Sequence, residues 1–189
     1  MRRLVFVFLL MALPVWAAEL GDDGLHKTDW MQDTFKDLAE DLADAREEGK
    51  RLVLFFEQRG CIYCTKMHEE VFPKPQIDAY ISENFYVVQL NLYGDVEVTD
   101  FDGEILSEKA MARKWGVMFT PTIMFIGEEA GDVPAPQAAV ATMPGAFGAG
   151  TTLDMFTWVN EKRYEDQSVE DFQRYHARRI QERNDGSFD

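Results

Sequence analysis

Apolar runs recur along this chain at intervals that predict four strands with helices between them. Leu52-Val53-Leu54-Phe55-Phe56 puts five apolar residues in succession, the mark of a central strand covered on both faces. Phe85 to Leu92 and Ile123-Met124-Phe125-Ile126 repeat that signal, and a weaker strand over 137–143 follows Pro134 and Pro136. Helical spacing fills the gaps. Phe35, Leu38, Leu42 and Ala45 recur three and four residues apart, which predicts a helix capped by Asp29, with Gln32 three residues on, ending at Gly49. Its other positions are acidic and read as a solvated face. Further helices are predicted from Thr65 to Val71, Gln76 to Glu83 and Ser107 to Trp115. Another runs from a cap at Thr151 or Thr152 to about Lys162 on Leu153, Phe156 and Val159, and the last covers about 168–183 with Phe172, Tyr175 and Ile180. Val96, Val98 and the Asp102-Gly103 turn predict a β-hairpin within the insertion 93–106. Residues 18–27 read as a flexible lead-in and Asn184 to Asp189 as a frayed tail. There is no internal repeat and no linker long enough to separate a second domain.

The first residues change the compartment. Met1-Arg2-Arg3, the apolar run Leu4 to Leu13, and Pro14-Val15-Trp16-Ala17-Ala18 have the order of a secretory signal peptide over 1–17. The apolar core is short for a membrane span, which needs about 20 residues, and an uncleaved anchor is the alternative reading. The expected mature chain is one domain, 18–189, with a core over about 30–165 and a helical C-terminal extension over 168–183. The formal charge is −15 for the whole chain. Loss of Arg2 and Arg3 makes it about −17, which argues against nucleic acid and anionic membrane surfaces as partners. A monomer is expected, in the periplasm of a bacterial cell.

The candidate chemistry sits between a strand and a helix. Cys61 and Cys64 are the only two cysteines of the chain, spaced C-x-x-C. Cys61 at a helix N-terminus, with Arg59 and Lys66 nearby, is placed to be a thiolate, the reactive form in disulfide exchange. Cys64 is then placed to resolve a mixed disulfide formed at Cys61. Metal binding is the competing reading. Cys61, Cys64 and His68 offer three ligands on one segment, with a fourth to come from His26, His176 or a carboxylate, but the second cysteine pair of a structural zinc site is absent. Haem attachment needs a histidine directly after Cys64, where Thr65 stands. His68 itself reads as a helix-surface residue. No cofactor is expected.

Two anchors carry a resemblance. One is Phe55-Phe56 through Cys64; the other is Lys114-Trp115-Gly116-Val117 followed by Thr120-Pro121-Thr122. Their order resembles the thioredoxin superfamily, and the stretch from Phe56-Glu57-Gln58 to Gly60-Cys61-Ile62-Tyr63-Cys64 is similar to periplasmic thioredoxin-like proteins of the SoxW type, linked to sulfur oxidation. The resemblance implies an α/β thioredoxin-like fold. A central mixed β-sheet is flanked by helices, with the hairpin insertion before a cis-proline loop at Pro121. It implies that Thr120, Pro121, Ile62 and Tyr63 face the substrate, with the Thr120 backbone pairing to a substrate strand. The implied function is a thiol–disulfide oxidoreductase using Cys61 and Cys64.

Three departures from the family pattern stand out. Gly60 occupies the usual tryptophan position, Ile62 replaces the frequent proline, and Phe55 replaces the buried acid that relays a proton to the resolving cysteine. Glu57 serves as that relay only if the strand's alternation extends to it; otherwise it is a surface or loop acid. The 93–106 insertion is too short for the helical insertion of the family's strong oxidants, and the chain is too short for an isomerase's dimerisation domain. A reductase of oxidised periplasmic proteins follows, supplied with electrons by a membrane thiol transporter. A disulfide-donating oxidase and a thioredoxin-fold metal-binding or protein-binding module are the alternatives.

Overall fold

The computed structural model describes residues 19–166, 168 and 170–185. The predicted leader and residues 186–189 lie outside them. In chain order the elements are β1 (Glu19–Leu20), β2 (His26–Lys27), β3 (Met31–Gln32), α1 (Leu38–Glu47), β4 (Arg51–Glu57) and α2 (Ile62–Lys66), which runs on into a wider π turn at Met67–Val71. There follow α3 (Pro75–Asn84), β5 (Phe85–Asn91), β6 (Glu97–Thr99), β7 (Ile105–Ser107), α4 (Glu108–Lys114) and β8 (Thr122–Ile126). A single turn α5 (Ala135–Ala138), β9 (Ala139–Pro144), α6 (Ala149–Asn160) and α7 (Phe172–Asn184) complete the fold.

The central sheet has the order β3-β5-β4-β8-β9. β4 runs parallel to β5 and antiparallel to β8, so the sheet is mixed, with β4 in the middle. Strand alternation then sorts the core into two layers. Leu52, Leu54 and Phe56 face α1 and α4, meeting Leu38, Leu42 and Met111. Val53 and Phe55 face the π turn, α3 and α6, meeting Met67, Ile81 and Phe156. Each fully buried Phe or Leu contributes about 1.5–3 kcal/mol relative to exposure. This double cover explains why β4 carries no polar residue between Arg51 and Glu57.

Several expectations need correction. The first helix starts at Leu38, not after Asp29. Asp37 is its cap, its carboxylate accepting from the N–H groups of Ala39 and Glu40. Lys36 has a left-handed φ of 60°, which no helix continues through, and Phe35 is left 95% exposed. Residues 18–27 are not a loose lead-in over their described part: β1 and β2 pair antiparallel, and Leu25 and Trp30 are buried. The predicted weak strand begins with the turn α5 and is strand only from Ala139. Gly148 rather than a threonine stands at the cap of α6. The last helix starts at Phe172, where the Asp171 carboxylate takes the Arg174 N–H. The hairpin in the insertion forms as β6 and β7 around Gly103 at φ 80°.

Candidate active site

β4 delivers the chain to the dithiol. Gly60 turns it at φ 71°, a backbone state that residues with a Cβ rarely adopt, which gives a conformational reason for glycine there. Cys61 is the N-cap of α2 and is disulfide-bonded to Cys64, with Cα atoms 5.2 Å apart. Cys61 is 5% exposed and Cys64 not at all. The asymmetry suits an attacking Cys61 and a resolving Cys64. Two donors point at Cys61 Sγ: the Cys64 N–H at 3.0 Å and the Thr120 hydroxyl at 3.1 Å. Both favour negative charge on that sulfur once the disulfide opens. Arg59 does not join them, because its guanidinium donates to the Asp23 carbonyl at 3.2 and 3.4 Å.

The Thr120–Pro121 peptide bond is cis. The Thr122 hydroxyl donates to the Phe119 carbonyl at 2.8 Å and the Gly145 N–H to the Pro121 carbonyl at 2.7 Å, tying this loop to β8 and β9. Large apolar side chains next to Cys61 and Thr120 in the chain are exposed. Ile62 and Tyr63 are 74% and 60% exposed, and Met118 and Phe119, on the approach to Thr120, 79% and 49%. Met118 also borders an open groove of about 380 Å³ with Leu92, Tyr93, Ala112 and Val117. Met118 and Phe119 escape sequence reasoning. The clue is that two large apolar residues fall between Gly116 and Pro121, outside any predicted strand or helix.

Behind the dithiol lies a cluster that the sequence reading did not assemble. Glu57 is a completely buried member of β4, not a surface acid, and the alternation does carry it to the face of Phe55. Its Oε1 is 3.2 Å from His26 Nδ1 and 3.1 Å from His68 Nε2, and its Oε2 accepts a short hydrogen bond from the Gln89 amide. Gln89 also donates to the His26 carbonyl at 2.8 Å and accepts from Lys27 at 2.7 Å. His26 Nε2 is 3.2 Å from the Thr65 hydroxyl, which donates to the Cys61 carbonyl at 3.2 Å. Polar contacts thus link the cluster to the active-site turn. His68 is 2% exposed rather than on the helix surface, because the continuation of α2 turns it inward against Phe55 and Phe72.

The structure also regroups the candidate metal ligands. His68 gathers with His26 and Glu57, their donor atoms all within 4.8 Å of one another. The two imidazoles are stacked, however, with centroids 4.5 Å apart and planes 11° from parallel. Lone pairs lying in near-parallel planes do not meet at one point, as ligands of a single ion must. His176 is elsewhere: its Nδ1 is 2.6 Å from the buried Asp154, where it joins α7 to α6.

Comparison with known proteins agrees with this geometry. The family model described as a thioredoxin-like domain matches residues 38–141. Among solved structures, the chain is similar to a thioredoxin-fold protein from Helicobacter pylori at 19% identity and a TM-score of 0.54, covering 70% of this chain and 86% of that one. It is similar to a thioredoxin from Thermus thermophilus at 20% identity and a TM-score of 0.54, covering 71% and 94%. No curated protein matches. The chain belongs to the thioredoxin-like domain family.

Proposed function

We propose that this member of the thioredoxin-like domain family is a periplasmic reductase, which uses the Cys61–Cys64 dithiol to reduce disulfides of exported proteins. At the general level the chain is a thiol–disulfide oxidoreductase, given its family and its Cys61–Cys64 disulfide. The finer reading rests on one observation above the others: Cys61 Sγ sits under two donors, and the residues next to Cys61 and Thr120 in the chain, Ile62, Tyr63, Met118 and Phe119, are exposed. The donors support a reactive thiolate, and the exposed side chains support docking of an apolar peptide segment beside Thr120 and Pro121.

In the cycle, the Cys61 thiolate attacks one sulfur of the substrate disulfide and expels the other as a thiolate. Cys64 then attacks Cys61 Sγ, releases the second substrate thiol and closes the disulfide. The buried cluster around Glu57, behind the dithiol, serves the proton transfer of this step. A membrane thiol transporter re-reduces the pair, since an exported dithiol needs a supply of electrons. Proteins of the sulfur-oxidation machinery are the substrate class, in keeping with the SoxW-type motif around Cys61. What supports the direction is the 93–106 insertion, a short β-hairpin.

The test is a trap. The Cys64→Ser variant, expressed in a Gram-negative host with its leader, should accumulate mixed disulfides through Cys61 in the periplasmic fraction, with exported proteins and with a membrane thiol carrier. Recovery of the chain in the cytosol, or of no adduct at all, would overturn the assignment.

A further inference from the structure

Among the described residues, His68 is a buried imidazole with no hydrogen-bond partner at either ring nitrogen. Its Nε2 lies 3.1 Å from Glu57 Oε1, close enough for charge attraction but outside hydrogen-bond geometry, and its Nδ1 has no partner. Buried polar atoms are rarely left so, because desolvation then goes uncompensated. The missing partner has an address. His68 follows Cys64 by four residues on one helical segment, and both are buried, so they share its inward face. Helical side chains lean toward the N-terminus, which tilts His68 in the direction of the turn that carries Cys64. In the oxidised chain the Cys64 sulfur is bonded to Cys61 and has no hydrogen to give. Reduction creates a donor there.

We propose that His68 is the base for the resolving cysteine, with Glu57 holding the charge that results. This rests on the oxidoreductase reading and deepens it. In the mixed disulfide Cys64 is a thiol. His68 Nδ1 takes its proton, and the imidazolium is balanced by the Glu57 carboxylate against its other nitrogen. The Cys64 thiolate attacks Cys61 Sγ, the bond from Cys61 to the substrate breaks, and the substrate sulfur leaves as a thiolate. That thiolate takes a proton from solvent, and the imidazolium returns its own to solvent. The substrate disulfide gains two electrons and the dithiol loses two. Phe55, one alternation before Glu57 on the same face, brings no titratable atom to this task. His26, stacked on His68 and within 3.2 Å of the same carboxylate oxygen, fixes where Glu57 points.

The experiment separates the two exchange steps in the mature chain. Reduced protein is mixed with a disulfide-bonded peptide, quenched with acid at intervals, and weighed by mass spectrometry for the mixed disulfide. In His68→Phe, which retains an aromatic ring against Phe55 and Phe72, attack by Cys61 should stay within about twofold of wild type. Resolution should slow by about 100-fold or more, the lower range for loss of a general base, and the mixed disulfide should accumulate. Resolution at the wild-type rate overturns the proposal, and so does equal slowing of both steps, which a packing defect produces. Absence of any attack by the wild-type chain overturns the oxidoreductase reading instead. A second readout needs no variant: the 15N resonances of the His68 ring should move when the wild-type disulfide is reduced, and unchanged resonances overturn the assignment.

Discussion

Thr120 offers the sharpest single-atom test of how the fold sets the redox balance. Its hydroxyl donates to Cys61 Sγ at 3.1 Å from a position only 8% exposed. In the oxidised chain that acceptor is a neutral disulfide sulfur, a weak partner. In the reduced chain the proposed mechanism makes it a thiolate, and a hydrogen bond to a charged group contributes about 1.5–3 kcal/mol. The difference between the two states, about 1.5 kcal/mol, favours the reduced form. Thr120→Val removes the hydroxyl and keeps the β-branched shape. The potential of the pair should fall by about 30 mV, since 1.4 kcal/mol corresponds to about 30 mV for two electrons. Equilibration against glutathione, read by alkylation and mass, should show the exchange constant moving about tenfold toward the disulfide. Alkylation of Cys61 at neutral pH should also slow. A potential that stays put, or rises, would refute the claim that this hydroxyl stabilises the reduced sulfur.

Two further predictions concern charges buried away from the dithiol. Burial raises the Asp41 carboxyl to about 6, with Asp37, Asp44 and Glu40 adding to the rise and the Thr34 hydrogen bond opposing it. The folded chain therefore holds this proton longer than the unfolded chain and loses stability as pH climbs from about 4 to about 6, so Asp41→Asn should raise stability at pH 7 by about 1–2 kcal/mol in urea unfolding. At Asp154 burial acts upward, but hydrogen bonds from Arg183 and His176 outweigh it and hold the carboxyl below its ordinary range. Its contribution is complete above the unfolded value of 3.8 and is lost as pH falls below it. Asp154→Asn should cost about 2 kcal/mol at pH 7, less than a fully dry pair because Arg183 and His176 are part-exposed, and α7 should become the first segment cut by protease. The deficit should shrink below pH 4.

The parts of this molecule that were legible in sequence are those in which neighbours along the chain carry the signal. Leu52 to Phe56, Phe85 to Leu92 and Ile123 to Ile126 are strands because a run of apolar residues must be covered on both faces, whatever covers them. Cys61 and Cys64 are visible through their spacing alone, and Pro121 through the family resemblance that Thr120-Pro121-Thr122 carries. The cluster under the dithiol was not legible, for a physical reason. Glu57 meets His26 from 31 residues upstream and Gln89 from 32 residues downstream, and only the parallel pairing of β4 with β5 brings the latter beside it. Without those partners a glutamate at a strand's end reads as solvent-facing. His68 misleads in the same way, since the inward direction of its segment is set by packing on Phe55 and Phe72. The start of α1 escapes the apolar pattern because Phe35 fits the helical spacing, while the left-handed turn at Lys36 leaves no mark in it.

Direction of electron flow is the central claim, and the equilibrium potential of the Cys61–Cys64 pair in the mature chain tests it most directly. A reductase fed from the membrane should sit near the thioredoxin value of about −270 mV, as measured against a dithiol redox buffer. A value near about −120 mV would make the chain a disulfide donor and contradict the account.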